Sequence, residues 1–391
     1  MSENGIMVLD REYVADTYAR FPVALVSGSG ALCRDENGRE YIDLGTGIAV
    51  NTFGYSDEIW ADAVTKQLRT LQHASNLYNT APCARLAEML CLRTGMKKVF
   101  FGNSGAEANE CAIKVARKYA QDKRGPEYFH IITLKNSFHG RTLTTLAATG
   151  QEVFHKSFTP LTPGFLYADP GDLDSVEKLV AEHKCAGILF EPVQGEGGVM
   201  PLDPAFVRGL REICDREDLL LMADEVQTGN GRTGTLYAYM QFGVVPDVVT
   251  TAKGLAGGLP LGACMMGEKC CHVLGRGDHG STFGGNPVAC AGALSVLSRL
   301  DEDLLAGVRE RSEYIFSELT GAEGVESVSG LGLMIGIKGQ RKSADVLAAC
   351  REKGVLCLTA KDRVRLLPPL NIPMDLLKKA VGILKEAFAD I

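Results

Sequence analysis

The chain has 391 residues, 46% hydrophobic and 23% charged, with a formal net charge of −7. That length implies two or three structural units, and a mildly acidic chain of ordinary globular composition gives no support to a nucleic-acid or membrane partner. No run approaches the ~20 apolar residues of a membrane span. Glu3, Asp10 and Glu12 stand where a secretory signal would be basic and then apolar, so a cytoplasmic location is expected.

The 12 cysteines are scattered, and only Cys270-Cys271-His272 is dense. Nothing elsewhere completes a metal site, so free thiols and no metal are expected.

The first 45 residues contain a turn at Asp35-Glu36-Asn37-Gly38 followed by the strand-like Tyr41–Leu44. From about residue 97 to 290, short apolar runs alternate with amphipathic stretches. The runs are Val99–Phe101, Ile131–Leu134, Gly187–Phe190, Leu219–Met222 and Val248–Thr251. Apolar on both faces, they suit strands covered by helices on each side. Between the first two, Ala108, Ala112, Val115, Ala116 and Tyr119 repeat at helical spacing. The series reads as βαβ units and an α/β fold with a mainly parallel sheet. Beyond residue 291 come a long helical stretch, strand-like Leu331–Ile337, Val355–Leu358 and Val364–Leu367, and a closing helix near Asp375–Phe388. The expected division is a large domain over 46–290 with a smaller α+β domain built from 1–45 and 291–391.

Ligands of open α/β sheets sit beyond the carboxyl ends of the strands. There the five runs deliver Gly102-Asn103-Ser104-Gly105-Ala106, then Phe138-His139-Gly140-Arg141, then Glu191, Asp224-Glu225 and Lys253. Ser104-x-x-Glu107 is a capping-box pattern. The helix it opens is either an ordinary strand-to-helix connection or a phosphate cradle of free N–H groups. Asp224 and Lys253 are 29 residues apart, enough for a crossover between neighbouring strands. Alone, Lys253 reads as a solvated lysine at a strand end. Together the two fit pyridoxal 5′-phosphate (PLP) chemistry: a lysine amine bonds the aldehyde, and a carboxylate keeps the pyridine nitrogen charged.

Several segments then resemble the class III aminotransferases of fold type I. They are Ser104–Glu110, Phe138–Arg141, Glu191–Gly198, Asp224–Gly229, Gly231–Gly234, Lys253-Gly254 and Ser281–Pro287, and the likeness extends over about residues 40–370. The resemblance implies that Lys253 carries PLP and moves the substrate proton, and that Asp224 pairs with the pyridinium. It implies that Gln227 bonds the ring hydroxyl, that Val226 and Phe138 enclose the ring, and that Ser104, Gly105 and Ala106 hold the phosphate. Thr282 would reach the phosphate of a neighbouring subunit, which implies a homodimer.

A transaminase accepts two substrates in one pocket. With N-acetylornithine as donor, only a methylene flanks the reacting carbon. With glutamate or 2-oxoglutarate, a carboxylate flanks it. A distal arginine serves both, whereas a proximal arginine left unpaired with the first would be a costly buried charge. By resemblance Arg141 is the distal clamp, Arg365 the proximal one, and Glu196 a carboxylate that masks Arg365 in turn. Gly47-Ile48-Ala49-Val50 is small and apolar and lacks the tyrosine that ornithine enzymes of the family tend to place there, so the resemblance implies an acylated donor, with ornithine, 4-aminobutyrate or another ω-amino acid as the alternative. Where family members commonly have Gly-His and then Pro, this chain has Gly54-Tyr55-Ser56-Asp57, expected to open a helix near the pocket entrance. A PLP-binding scaffold without turnover conflicts with the intact Lys253, Asp224 and Arg141 set. A nucleotide-binding module lacks the required glycine-rich loop.

Overall fold

The computed structural model describes residues 5–389. Its centre is a seven-stranded sheet of β1 (Lys98–Gly102), β2 (His130–Leu134), β3 (Phe165–Ala168), β4 (Cys185–Phe190), β5 (Leu220–Asp224), β6 (Val248–Thr251) and β7 (Gly262–Met266), in the order β1-β7-β6-β5-β4-β2-β3. Strands β6, β5, β4, β2 and β3 pair in parallel, and β7 runs antiparallel to both its neighbours. The sheet is therefore mainly parallel, as expected. β3 and β7 lie outside the five apolar runs singled out from sequence.

Both sheet faces are covered. Leu220 and Met222 of β5 enter one apolar cluster, and Leu221 and Ala223 enter the other. This alternation is the period-two geometry of a strand, and each of the leucine and methionine side chains contributes ~1.5–3 kcal/mol on burial. On the first face lies the helix Gly105–Arg124, which continues past the Tyr119 expected from its pattern. Its buried stripe is mostly small (Ala108, Cys111, Ala112, Val115, Ala116), so the helix backbone approaches the strands closely. The one amide in that stripe, Asn109, is thereby set beneath β5 and β6.

Segments early and late in the chain pair with each other. Strands Leu25–Ser29, Leu32–Asp35 and Glu40–Asp43 form a sheet completed by Val355–Leu356, which pairs in parallel with Ile42 and Asp43. A second four-stranded sheet takes Val325–Leu331, Met334–Gly339, Arg363–Leu366 and Leu358–Ala360 in that order. Two sequence readings change here. Leu331–Ile337 is not one strand but the end of one, a turn at Gly332-Leu333 and the start of another, because Gly332 takes φ +57°. Val355–Leu358 divides at Cys357 between the two sheets. The closing helix is Met374–Ala389. Among the described residues, no helix is long and apolar enough to cross a membrane.

Candidate active site

The five strand ends named from sequence converge on one cavity of ≈ 560 Å³. Its wall includes Ser104, Gly105 and Ala106 after β1, Phe138 to Arg141 after β2, Glu191 after β4, Asp224, Val226 and Gln227 at and after β5, and Lys253 after β6. Val50, Tyr18 and Leu259–Leu261 complete it.

Asp224 ends β5, and Lys253 stands two residues past the end of the adjacent β6. Lys253 takes φ +45°, a left-handed conformation that costs a β-carbon residue of order 1–3 kcal/mol and persists where the surroundings impose it. Burial pushes the Lys253 amine down to about 8, against the opposing pull of Glu196 and other carboxylates. It is therefore far easier to deprotonate than a solvated lysine.

Asp224 is held on every side. His139 Nδ1 lies 2.7 Å from its Oδ2, Asn109 donates to the same oxygen at 2.8 Å, and the Val226 N–H donates to Oδ1 at 3.0 Å. Asn109 also accepts from the Thr250 hydroxyl and donates to the His139 carbonyl. Three elements thus fix one carboxylate at the cavity floor. Sequence reasoning missed Asn109 and His139 as its partners. An amide on the otherwise apolar face of the helix Gly105–Arg124 was the available signal.

At the cradle, Ser104 Oγ caps the helix through the Glu107 N–H. The Glu107 carboxylate reaches the Asn103 N–H, one residue before the N-cap, so the capping box closes one position early. A β-carbon on Gly105 would lie 2.6 Å from the Val226 side chain. Only glycine lets this helix start meet Val226, one wall of the cavity. Gly140, at φ +142°, is equally constrained, since a β-carbon there would meet Thr145 at 2.4 Å.

Arg365 and Glu196 do not line that cavity but pair beside it. Arg365 Nη1 donates to Glu196 Oε1 at 2.5 Å and to Gln227 Oε1 at 3.1 Å. Gln227 belongs to the cavity wall, so it joins the pair to the site. Burial raises the Glu196 carboxyl, but the Arg365 charge and hydrogen bond outweigh it and leave it below the usual range, hence ionised. Arg365 Nε is buried without a partner among the described residues, leaving donor capacity for a second carboxylate. Its segment is fastened by Arg232, whose buried guanidinium donates to the Leu333 and Pro368 carbonyls. Glu191 is buried, bonded by the Phe138 and Gly195 N–H groups, and pushed well up by burial and then by the Asp224 charge.

Val50 follows a rare piece of backbone. Thr46, Gly47, Ile48 and Ala49 all have φ between +48° and +66°, one turn of left-handed helix. The Asp43 carboxylate accepts from the Gly45 and Thr46 N–H groups and from the Tyr55 hydroxyl, and the Thr46 hydroxyl donates to the Leu367 carbonyl. Tyr55, the departure noted in the sequence, is thus a support of this turn and does not itself line the cavity. Asp57 caps the helix Glu58–Thr70 that follows. Arg141 is exposed at the cavity rim. Thr282 lies in a different cavity, of ≈ 480 Å³, with Ser281, Asn76 and His73.

A fixed carboxylate, a deprotonatable lysine and a helix start thus line one cavity. The profile of the family described as Aminotransferase class-III matches residues 13–388. The chain belongs to the class III aminotransferases. It is 48% identical, over 100% of both chains, to an acetylornithine aminotransferase of Haemophilus ducreyi. It is 43% identical, over 97% of this chain and 95% of the other, to a succinylornithine transaminase of Citrobacter koseri. Among solved structures, an ornithine aminotransferase of Toxoplasma gondii superposes with TM-score 0.93 at 32% identity, covering 98% of this chain and 93% of that one. An N-acetylornithine aminotransferase of Stenotrophomonas maltophilia does so with TM-score 0.85 at 36% identity, covering 98% of both.

This aminotransferase is PLP-dependent, as its class is, and the residues present fit the cofactor. The cavity offers an amine shifted to about 8, an anchored carboxylate, and helix N–H groups beside a glycine that leaves no room for a side chain.

Proposed function

We propose that this aminotransferase moves the terminal amino group of N-acetylornithine to 2-oxoglutarate, giving N-acetylglutamate semialdehyde and glutamate. The observation that carries the reading is the Arg365–Glu196 pair, joined to the cavity through Gln227. An arginine that can be either masked or offered suits one pocket that takes a donor without a carboxylate beside the reacting carbon and an acceptor with one. Relatives named for acetyl- and succinylornithine support an acylated donor, and of the Gly47–Val50 segment only Val50 lines the cavity.

When bound, PLP supplies an aldehyde that takes up the amino group and a charged pyridine ring that acidifies the adjacent C–H. In this reading Lys253 Nζ would hold the cofactor by its aldehyde and, once released, would accept and carry the proton from the substrate carbon. A shifted amine near 8 suits both duties, because the neutral form is accessible at physiological pH. Asp224, its orientation fixed by His139 and Asn109, would stabilise the protonated pyridine nitrogen. Ser104, Gly105 and Ala106 would hold the phosphate, Phe138 and Val226 would enclose the ring, and Gln227, which accepts from Arg365, would meet the ring hydroxyl. Arg141 takes the distal carboxylate of both substrates, and Arg365 takes the carboxylate next to the reacting carbon once Glu196 swings away.

We further propose a cytoplasmic homodimer in which Thr282 contacts the partner's phosphate. Thr282 and its neighbours on the chain and in its cavity leave Leu77, Tyr78 and Phe283 exposed, the kind of apolar surface a subunit covers. Residues 1–45 and 291–391 would form the smaller domain beside a PLP-binding unit of 46–290. The test of function is a panel of N-acetylornithine, N-succinylornithine, ornithine and 4-aminobutyrate with 2-oxoglutarate, read as glutamate formed. Acylated donors should exceed the free amines in kcat/KM, and a preference for ornithine or 4-aminobutyrate would overturn the assignment.

A further inference from the structure

The Arg141 guanidinium has no hydrogen bond or ion pair among the described residues, and two aromatic rings are its only specific contacts. Its Cζ stands 4.3 Å from the centre of the Phe154 ring and 5.6 Å from that of Phe138. An arginine over an aromatic face keeps its N–H edge free for a carboxylate. The two rings also meet edge-on, with centroids 5.7 Å apart and planes at 72°. Phe138 borders the cavity, whereas Phe154 lies outside its wall.

Phe154 is placed by its own loop. It closes the single turn Glu152–Phe154, and its N–H donates to the Gln151 carbonyl at 3.1 Å. Gln151 Nε2 in turn donates to the Ser137 carbonyl, and Ser137 Oγ accepts from the Gly150 N–H. The segment bearing Phe154 is thus tied to the residue preceding Phe138, on the loop that carries Arg141. Without this ring, a half-free arginine on an exposed loop would sample many rotamers, and ordering it would be charged to each substrate on binding.

We propose that Phe154 is a positioning residue that holds the Arg141 guanidinium ready for the distal carboxylate of both substrates, acting on substrate affinity and not on the chemistry at Lys253. The inference rests on the reading of Arg141 as the carboxylate clamp, and the experiment separates the two.

The test compares holoenzymes carrying Phe154→Leu, Phe154→Met, Phe154→Tyr and Arg141→Ala. Leucine and methionine keep the volume but lose the aromatic face. Each should raise KM for 2-oxoglutarate and for the amino donor about fivefold, with kcat moving less, as loss of a cation–π contact of this size implies. Tyrosine should restore KM to within about twofold. A donor amine without a carboxylate should react equally with all the Phe154 variants, a result that a merely disturbed Phe138 would not give. Unchanged KM in the leucine and methionine variants beside a raised KM in Arg141→Ala overturns the role of Phe154 alone. Unchanged KM in Arg141→Ala overturns the clamp, and Phe154's role with it.

Discussion

Arg365 and Glu196, 169 residues apart in sequence, share a hydrogen-bonded ion pair of 2.5 Å, and the same Nη1 reaches Gln227 at 3.1 Å. Arg365 is only 3% exposed and Glu196 is 29% exposed. The asymmetry is informative: the arginine is fixed in the small sheet, and the glutamate sits on a turn whose middle residues, Glu196 and Gly197, are partly exposed, so the glutamate is the partner with room to swing.

That asymmetry sets the first expectation. Arg365→Ala should depress the glutamate half-reaction about 100-fold, the cost of removing one member of a buried charge pair. The N-acetylornithine half-reaction should fall far less. Glu196→Ala should reverse the preference, because it leaves Arg365 unmasked opposite a donor that brings no carboxylate. Single-turnover absorbance of each half-reaction checks both, and equal losses in the two would remove the switch.

The shifted amine gives a pH expectation. Lys253 titrates near 8 in the folded chain and near 10.5 when solvated. Capture of PLP by the cofactor-free protein needs the neutral amine, so its rate should climb with pH and level off above about 8. Between 8 and 10.5 the unfolded chain still holds a proton that the folded chain has lost. The stability of the cofactor-free protein should therefore rise with pH across that window. Stopped-flow capture and urea unfolding measure the two; a capture midpoint near 10.5 would contradict the shift.

The floor of the cavity is the third test. Asp224→Asn keeps the shape but removes the charge that faces the pyridine nitrogen, and kcat should drop by about 10²–10³. Asn109→Ala leaves Asp224 and the buried Thr250 hydroxyl each short of a partner. It should cost ~1–3 kcal/mol of stability as well as activity. Thermal unfolding of Asn109→Ala separates it from Asp224→Asn, whose loss should fall mainly on turnover.

Much of this was legible in the chain because the strands read as runs apolar on both faces and because ligands of such sheets gather where those runs end. Lys253, Asp224, Arg141 and Gly105 all follow such runs, and the structure brings them to one cavity. What stayed hidden had weaker local signals. The strand Gly262–Met266 is made of small and unbranched residues whose strand form is imposed by its neighbours on either side. The left-handed turn at Thr46–Ala49 contains one glycine, and its conformation depends on Asp43, Tyr55 and the distant Leu367. Phe154 lies in a loop with no periodic pattern, so only coordinates reveal its ring against Arg141.

The most direct measurement is borohydride reduction of the PLP-loaded protein followed by peptide mass mapping. One phosphopyridoxyl adduct per chain is expected, on the peptide containing Lys253, with loss of the visible absorbance band. Lys253→Ala should show neither the adduct nor turnover. A stoichiometric adduct on any other lysine, or turnover surviving in Lys253→Ala, would contradict the role of Lys253.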